Sequence, residues 1–161
     1  MMTKDFRTLA AYHEAGHAIC CIAVGGVVRA VDIEVIDGRG GLCRIIPPED
    51  LTKKIEIDMA GAAAEADLRL RRGRRYDSSH RNDLSDTDDE LRKLYGAKFI
   101  RRDNCPEFIE AEQLAKRIIG ENWGAVRRLA QWLLYKGSAS GAMAQAIVTS
   151  HNIARKERVS V

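Results

Sequence analysis

The sequence predicts a single α+β domain that is mostly helical and contains a small β-hairpin or sheet. Three observations predict this fold class. The chain has 161 residues, the length of one ordinary domain. Most of its apolar residues recur with helical spacing, whereas one stretch before residue 47 alternates with the period of a strand. Finally, 45% hydrophobic and 30% charged residues are typical of a globular protein and not of a disordered one.

The N-terminal third predicts a helix followed by a β-hairpin. Apolar residues recur at helical spacing over residues 8–22, and Gly25 and Gly26 end the run. The hairpin covers residues 27–46. Its first strand is marked by alternation from residue 31 to residue 36, its turn by the cluster at 37–40, and its return strand by residues 41–46.

The remaining chain predicts several helices. Residues 51–70 form one of them, and its small residues at 60–64 permit another helix to approach closely. A second helix begins at Asn82, its N-cap, and ends at Gly96. C-terminal helices over residues 107–154 comprise an antiparallel pair, divided at residues 120–122, and a last helix capped within residues 138–141.

Charge and hydropathy exclude several classes of function. A net charge of +3 gives no global field for nucleic acid, and we interpret the arginines between 69 and 75 as a solvated surface or partner site. The longest uncharged apolar run spans residues 18–28, whereas a membrane span needs about 20 residues. Four cysteines lack Cys-x-x-Cys spacing, and no signal peptide is recognisable. We expect a cytoplasmic protein with no membrane span and no nucleic-acid partner.

The segment from His13 to His17 carries the chemistry. It reads H-E-x-x-H within a predicted helix. Because residues four apart lie on one helical face, both imidazoles can reach one metal ion, and Glu14 between them can act on a metal-bound water. This spacing is typical of zinc hydrolases.

A catalytic zinc site needs a third protein ligand, and spacing leaves its identity open. Glu65 on the next helix, His80 and Asp83 are the candidates, together with the acids from residue 86 to residue 90. We interpret the acids at 86–90 as a solvated first helical turn, which the helix dipole favours.

Several motifs together resemble the peptidase domain of FtsH-type ATP-dependent zinc metalloproteases, from about residue 5 to residue 150. The similar stretches are A-Y-H-E-A-G-H-A at 11–18, P-P-E-D at 47–50, A-G-A-A-A-E at 60–65, N-D-L at 82–84, Y-G at 95–96, and the helices over 112–134. The chain departs from the family at Ala62, where the family has arginine, and at residues 76–81, where it lacks the usual glycine-containing stretch.

The resemblance implies a zinc-dependent endopeptidase that hydrolyses peptide bonds in unfolded or flexible polypeptides. It implies that His13, His17 and Asp83 bind Zn²⁺, with residues 76–96 as the third-ligand region, and that Glu14 activates the zinc-bound water. Glu65 then becomes an acid that packs between helices or supports a ligand. The family also implies that an extended peptide substrate adds to the edge of the hairpin at residues 41–45.

The family carries a membrane anchor and an AAA+ ATPase, whereas here the metal motif begins at residue 13. We therefore expect a stand-alone peptidase domain over residues 1–161, with a separate ATPase acting in trans and a homo-oligomer as further partners. The alternative is a catalytically idle adaptor that keeps the fold and the metal for protein binding. Glu14 argues against it, because a structural zinc site needs no base.

Overall fold

The computed structural model describes residues 4–34, 40–73, 81–98 and 101–159, and it has the predicted fold class. The described segments contain six α-helices and a three-stranded antiparallel sheet. The helices are α1 (Lys4–Ala23), α2 (Leu51–Arg71), α3 (Arg81–Tyr95), α4 (Pro106–Glu121), α5 (Trp123–Lys136) and α6 (Gly141–Val159). The strands are β1 (Val27–Asp32), β2 (Leu42–Ile46) and β3 (Ser138–Ser140).

The sheet has the strand order β2-β1-β3, so β1 is central and β2 is an outer strand. Val31 of β1 pairs with Cys43 of β2 on one side and with Ala139 of β3 on the other. The register shifts between Val28 and Ala30, which marks a β-bulge. Because Val31 and Ala139 are buried, this face of the sheet packs on the helices and the other face meets solvent.

Helix α1 lies at the centre of the main core and packs against α2, α5 and the sheet. Its approach to α2 is close because small residues face each other. A Cβ atom at Gly16 would lie 2.5 Å from the carbonyl oxygen of Ala60 and 2.8 Å from the Cβ of Ala64. The small residues at 60–64 thus have the role that the sequence predicted for them.

A second apolar cluster joins α2 to α3 and α4. Its buried members are Ile55, Met59, Leu91, Cys105, Phe108, Ala111 and Ala115. Thr87 of α3 is also fully buried, and its hydroxyl lies 3.5 Å from a carboxyl oxygen of Asp58 on α2. These contacts fix the first turn of α3, which carries Asp83, beside α2.

Three predictions about local structure need correction. Helix α3 begins at Arg81, so Asn82 lies inside the helix and is not its N-cap. Strand β1 extends from Val27 to Asp32. Its start lies four residues before residue 31, where the alternating pattern begins. Of that predicted strand, residues 35 and 36 lie outside the described residues. Helix α1 begins at Lys4, also four residues earlier than predicted.

The predicted C-terminal helices are present, but α4 and α5 pack on other helices more than on each other. Helix α4 packs mainly on α2 and α5 mainly on α1, and Asn122 alone lies between the two helices. Strand β3 was not predicted, since three residues of small and polar character carry no strand pattern. The predicted cap of the last helix is confirmed at Ser140, whose hydroxyl accepts a hydrogen bond of 3.2 Å from the N–H of Met143.

None of the helices in the described segments combines the length and the apolar character that crossing a bilayer requires. All four cysteines are free thiols, and Cys20, Cys21 and Cys105 are buried. Cys20 and Cys21 pack in the main core. A cytoplasmic location stays a prediction.

The close approach of α1 and α2 predicts a strong difference between two glycine substitutions. Gly16→Ala should lower the free energy of unfolding by about 1–3 kcal/mol, because its Cβ would overlap the backbone of α2. Gly120→Ala on α4, where a Cβ meets nothing within 4 Å, should raise it by about 0.5 kcal/mol. Urea denaturation measures both. Equal effects of the two variants would contradict the close helix contact.

Candidate metal centre

The two histidines of the motif lie one turn apart on the face of α1 that meets α2. Their Nε2 atoms point towards each other and are 2.9 Å apart. Both side chains are largely buried, with 14% of His13 and 12% of His17 exposed. As the helical spacing predicted, the two imidazole rings can therefore contact the same ion.

Helix α2 fixes the orientation of both rings through their Nδ1 atoms. The Nδ1 of His17 lies 2.7 Å from the carbonyl oxygen of Ile57, and the Nδ1 of His13 lies 2.9 Å from Oε1 of Glu65. A carbonyl and an ionised carboxylate only accept hydrogen bonds, so each Nδ1 donates. In its neutral form each ring then directs the lone pair of Nε2 away from α2's polar groups and towards the other ring.

Asp83 on α3 completes the group. Its Oδ2 lies 3.1 Å from Nε2 of His13, and its Oδ1 lies 3.7 Å from Nε2 of His17. The ligand atoms of these three partly buried residues all lie within 4.8 Å of one another. Together they form a group that could hold a metal ion.

The donor set fits a cation. Two imidazole nitrogens and a carboxylate converge, and a positive charge among them, from a proton on His13 or from a metal ion, offsets the cost of burying the acid. Burial alone would lower the pKa of His13, but hydrogen bonds to Asp83 and Glu65 outweigh it and raise the pKa to about 10. The group thus has a strong demand for positive charge, which a bound metal ion would satisfy.

Gly61 on α2 leaves room beside the two rings. A Cβ atom at this position would lie 2.5 Å from Nε2 of His17 and 2.7 Å from Nε2 of His13. Any larger residue would therefore occupy the space on which the two lone pairs converge. From the sequence, Gly61 is one of the small residues of helix packing, and spacing contains no signal for this second role.

Glu14 is buried next to this group, with 6% of its surface exposed. Burial raises the pKa of its carboxyl group to about 7, although the positive charge of His13 and a hydrogen bond from the backbone N–H of Cys43 oppose the change. A Cβ atom at Gly41 would overlap the side chain of Glu14. The start of β2 therefore comes into direct contact with the carboxylate.

Glu65 is not one of the candidate metal ligands. Its carboxylate bonds to Nδ1 of His13, whereas the other members of the group meet at Nε2. Its other oxygen lies 3.5 Å from Nη2 of Arg69, one helical turn further along α2. The sequence predicts that Arg69 belongs to a solvated surface or a partner site, yet its side chain is only 17% exposed. The i,i+4 spacing of Glu65 and Arg69 was the available signal for this ion pair.

The other third-ligand candidates lie elsewhere or outside the described residues. His80 is outside them. Acids of α3 form ion pairs, with Asp88 2.7 Å from Arg102, Asp89 2.9 Å from Arg92, and Glu90 2.7 Å from Lys93. Of the candidates within the described segments, Asp83 alone faces both Nε2 atoms.

Fold and site together define a mostly helical α+β domain with a two-histidine, one-carboxylate group that could hold a metal ion. A scan against models of protein families finds no match, and a search of curated proteins finds none either. The geometry of this group and the motifs around it are therefore what points to a function.

Filling the space at Gly61 should impair metal binding. We expect Gly61→Ala to weaken Zn²⁺ affinity at least about tenfold, because the new methyl group would displace both Nε2 atoms. Competition with a chromophoric chelator measures the affinity, and far-UV circular dichroism checks the fold. Gly120→Ala is the matched control and should bind as the wild type does. An unchanged affinity of Gly61→Ala would contradict the proposed space between the rings.

Asp58 provides a prediction about pH. Burial and the charges of Asp86, Asp83 and Glu90 raise the pKa of its carboxyl group from 3.8 to about 7. Because the folded-state pKa is the higher one, the stability that Asp58 contributes is complete below pH 4 and is lost as pH rises through 7. Asp58→Asn should therefore match the wild type at pH 4 and exceed its unfolding free energy by about 1–3 kcal/mol at pH 8.

Urea denaturation of the chelator-treated protein at both pH values tests this expectation. Asp103→Asn is a suitable control, because the Asp103 side chain is 61% exposed in an ion pair with Arg101. Equal gains from Asp58→Asn at pH 4 and pH 8 would show that the carboxyl group of Asp58 titrates normally.

Proposed function

We propose that this protein is a zinc-dependent endopeptidase of the FtsH-type peptidase-domain class, acting on unfolded or flexible polypeptides. One observation carries the proposal: the buried carboxyl group of Glu14 adjoins a group of His13, His17 and Asp83 that could hold a metal ion. An acid held in that position is costly for the fold, and it has a clear use as a base in hydrolysis.

The donor set supports zinc as the metal. Two imidazole nitrogens and one carboxylate oxygen are ligand types that Zn²⁺ accepts, and three protein ligands are the number found in catalytic sites. Structural zinc sites use four protein ligands and rely mainly on cysteine. No cysteine belongs to the group among the described residues. When bound, zinc supplies a Lewis acid that lowers the pKa of water to about 7 and stabilises negative charge on oxygen.

Glu14 moves the proton in the proposed reaction. Its carboxylate accepts a proton from the attacking water as the water oxygen bonds to the peptide carbonyl carbon. The same carboxyl group then donates that proton to the nitrogen of the leaving amine as the carbon–nitrogen bond breaks. Burial raises the pKa of this carboxyl group above its ordinary value, which suits a group that first accepts and then donates a proton.

Neighbouring groups hold the reacting side chains in place. Glu65 and the carbonyl of Ile57 orient the two imidazole rings through Nδ1, so that Nε2 is the available ligand atom. The backbone N–H of Cys43 donates a hydrogen bond to Glu14. The metal ligands and the base are thus oriented by α2 and β2, respectively.

The outer strand β2 supports an extended substrate. Within the described segments it pairs with β1 on one side only, and the N–H of Cys43 contacts Glu14. A peptide that added to the other side of β2 would pair through its backbone, which gives affinity with little dependence on sequence. Only an extended chain can pair in this way, so unfolded polypeptides are the proposed substrates.

The test combines metal analysis with a cleavage assay. The purified protein should contain about one zinc ion per chain by mass spectrometry, and it should degrade reduced casein in a reaction that a chelator stops. Glu14→Gln should retain zinc and lose about 10²- to 10⁴-fold in kcat, because the amide cannot accept the proton.

Glu56→Gln is the matched control. Glu56 is buried to the same degree as Glu14, but its carbonyl contacts Cys20 and its side chain is not part of the metal group. This variant should cleave casein at the wild-type rate. Zinc binding without any cleavage of casein would favour the adaptor, and full activity of Glu14→Gln would refute the proposed role of that residue.

A further inference from the structure

We propose that the outer edge of β2 selects substrates by a five-residue pattern: an acidic residue with an apolar residue two positions before it and another two positions after it. The selection rests on the proposed peptidase function and names the class of substrate for the same site. It is carried by three side chains of β2, which are Leu42, Arg44 and Ile46.

The outer edge of β2 is open to a further strand within the described part of the chain. Among the described elements, β2 has β1 as its one strand neighbour and otherwise packs mainly on α1. The strand is bounded by Gly41 and Pro47. It is therefore about as long as a short extended peptide needs, and every second residue directs its N–H and C=O to the outer edge, where the N–H of Cys43 already bonds to Glu14.

The side chains of β2 alternate between two environments. Leu42, Arg44 and Ile46 are exposed, whereas Cys43 and Ile45 are half-buried against the core. The exposed fractions are 49% for Leu42 and 46% for Ile46, which is high for large apolar side chains. The solvent face of β2 thus presents an apolar, cationic, apolar series.

Arg44 lies in the middle of this series and has no ion pair with any other residue that the structure describes. Its partner on β1 is Ala30, which carries no charge and no long side chain. The register on this face continues with Ile46 opposite Val27, which is 51% exposed. Apolar surface therefore lies at the end of the series, and the guanidinium group of Arg44 is available to a partner.

Residues that lie opposite each other in neighbouring strands share a face of the sheet. A peptide that adds to β2 would place every second side chain beside Leu42, Arg44 and Ile46. Opposite charges favour such pairs and like charges oppose them, while apolar side chains pack on apolar neighbours. The intervening peptide side chains would lie on the face that Cys43 shares, where its N–H meets Glu14.

The experiment measures peptide binding separately from cleavage. Capped, fluorescein-labelled nonapeptides carry the core Leu-Thr-Xaa-Thr-Leu, with Asp, Asn or Lys at Xaa. Their dissociation constants for the zinc-loaded Glu14→Gln protein are measured by fluorescence anisotropy at low ionic strength. The Asp peptide should bind tightest and the Lys peptide weakest, with about two- to fivefold between successive peptides.

Reversing the charge of the strand should reverse this order. Adding Arg44→Glu to Glu14→Gln should make the Lys peptide the tightest and the Asp peptide the weakest. Arg29→Glu is the matched control: Arg29 is an exposed arginine at the bulge of β1, one strand away from the edge, and its variant has the same net charge. It should preserve the original order. The differences should shrink in 0.5 M salt, because exposed charges are screened.

Equal affinities of the three peptides, or an order that Arg44→Glu leaves unchanged, would overturn the proposed selectivity, and so would the absence of measurable binding. Cleavage of the Asn peptide by the wild-type protein is scored independently. Cleavage without the charge order refutes the selectivity alone. Binding in the expected order without any cleavage refutes the peptidase function alone.

Discussion

The close contact between α1 and α2 is the constraint on which the site depends. Gly16 lets the backbone of α2 come within van der Waals distance of α1, and the alanines at 60 and 64 form the other side of that contact. At this separation Ile57 and Glu65 of α2 reach the Nδ1 atoms of the two histidines. A wider spacing would leave two buried imidazoles without partners, which is unfavourable in a core.

The same contact creates an electrostatic problem. Nδ1 donates in each ring, so both Nε2 atoms converge on the carboxylate of Asp83. Glu14 adds a second acid nearby, and burial already disfavours its charged form. Such a concentration of buried acceptors is costly without a cation. The group of His13, His17 and Asp83 therefore favours a bound positive charge. Arg69 lies next to Glu65, the residue that bonds to His13.

The sheet contributes to the site in a different way. It is small, and one of its faces is covered by α1, yet its outer strand reaches Glu14 through the N–H of Cys43. Strand β3 pairs with the other side of β1, and it is β2 that contacts Glu14 beside the candidate metal ligands. An edge strand with exposed apolar residues is usually an aggregation risk, and Arg44 in its middle is a common protection against it. In the proposed selection of substrates, Arg44 also favours an acidic residue in the peptide that pairs with this edge.

The sequence by itself determined the fold class, the helices around the motif, and the pair of histidines with Glu14 between them. These features are local, because helical spacing alone brings residues 13 and 17 to one face. It left the third member of the group open among Glu65, His80 and Asp83, since all three lie far along the chain from the two histidines.

Only the tertiary structure decided how those segments meet. The packing of α3 on α2 brings Asp83 to the two Nε2 atoms, and the α1–α2 contact brings Glu65 to the opposite side of His13. It also gave Gly61 and Gly41 their roles beside the side chains of the site, and it formed β3 from three residues without any strand pattern. The reason is physical: each of these outcomes depends on distances between distant segments, and periodicity along the chain records no such distances.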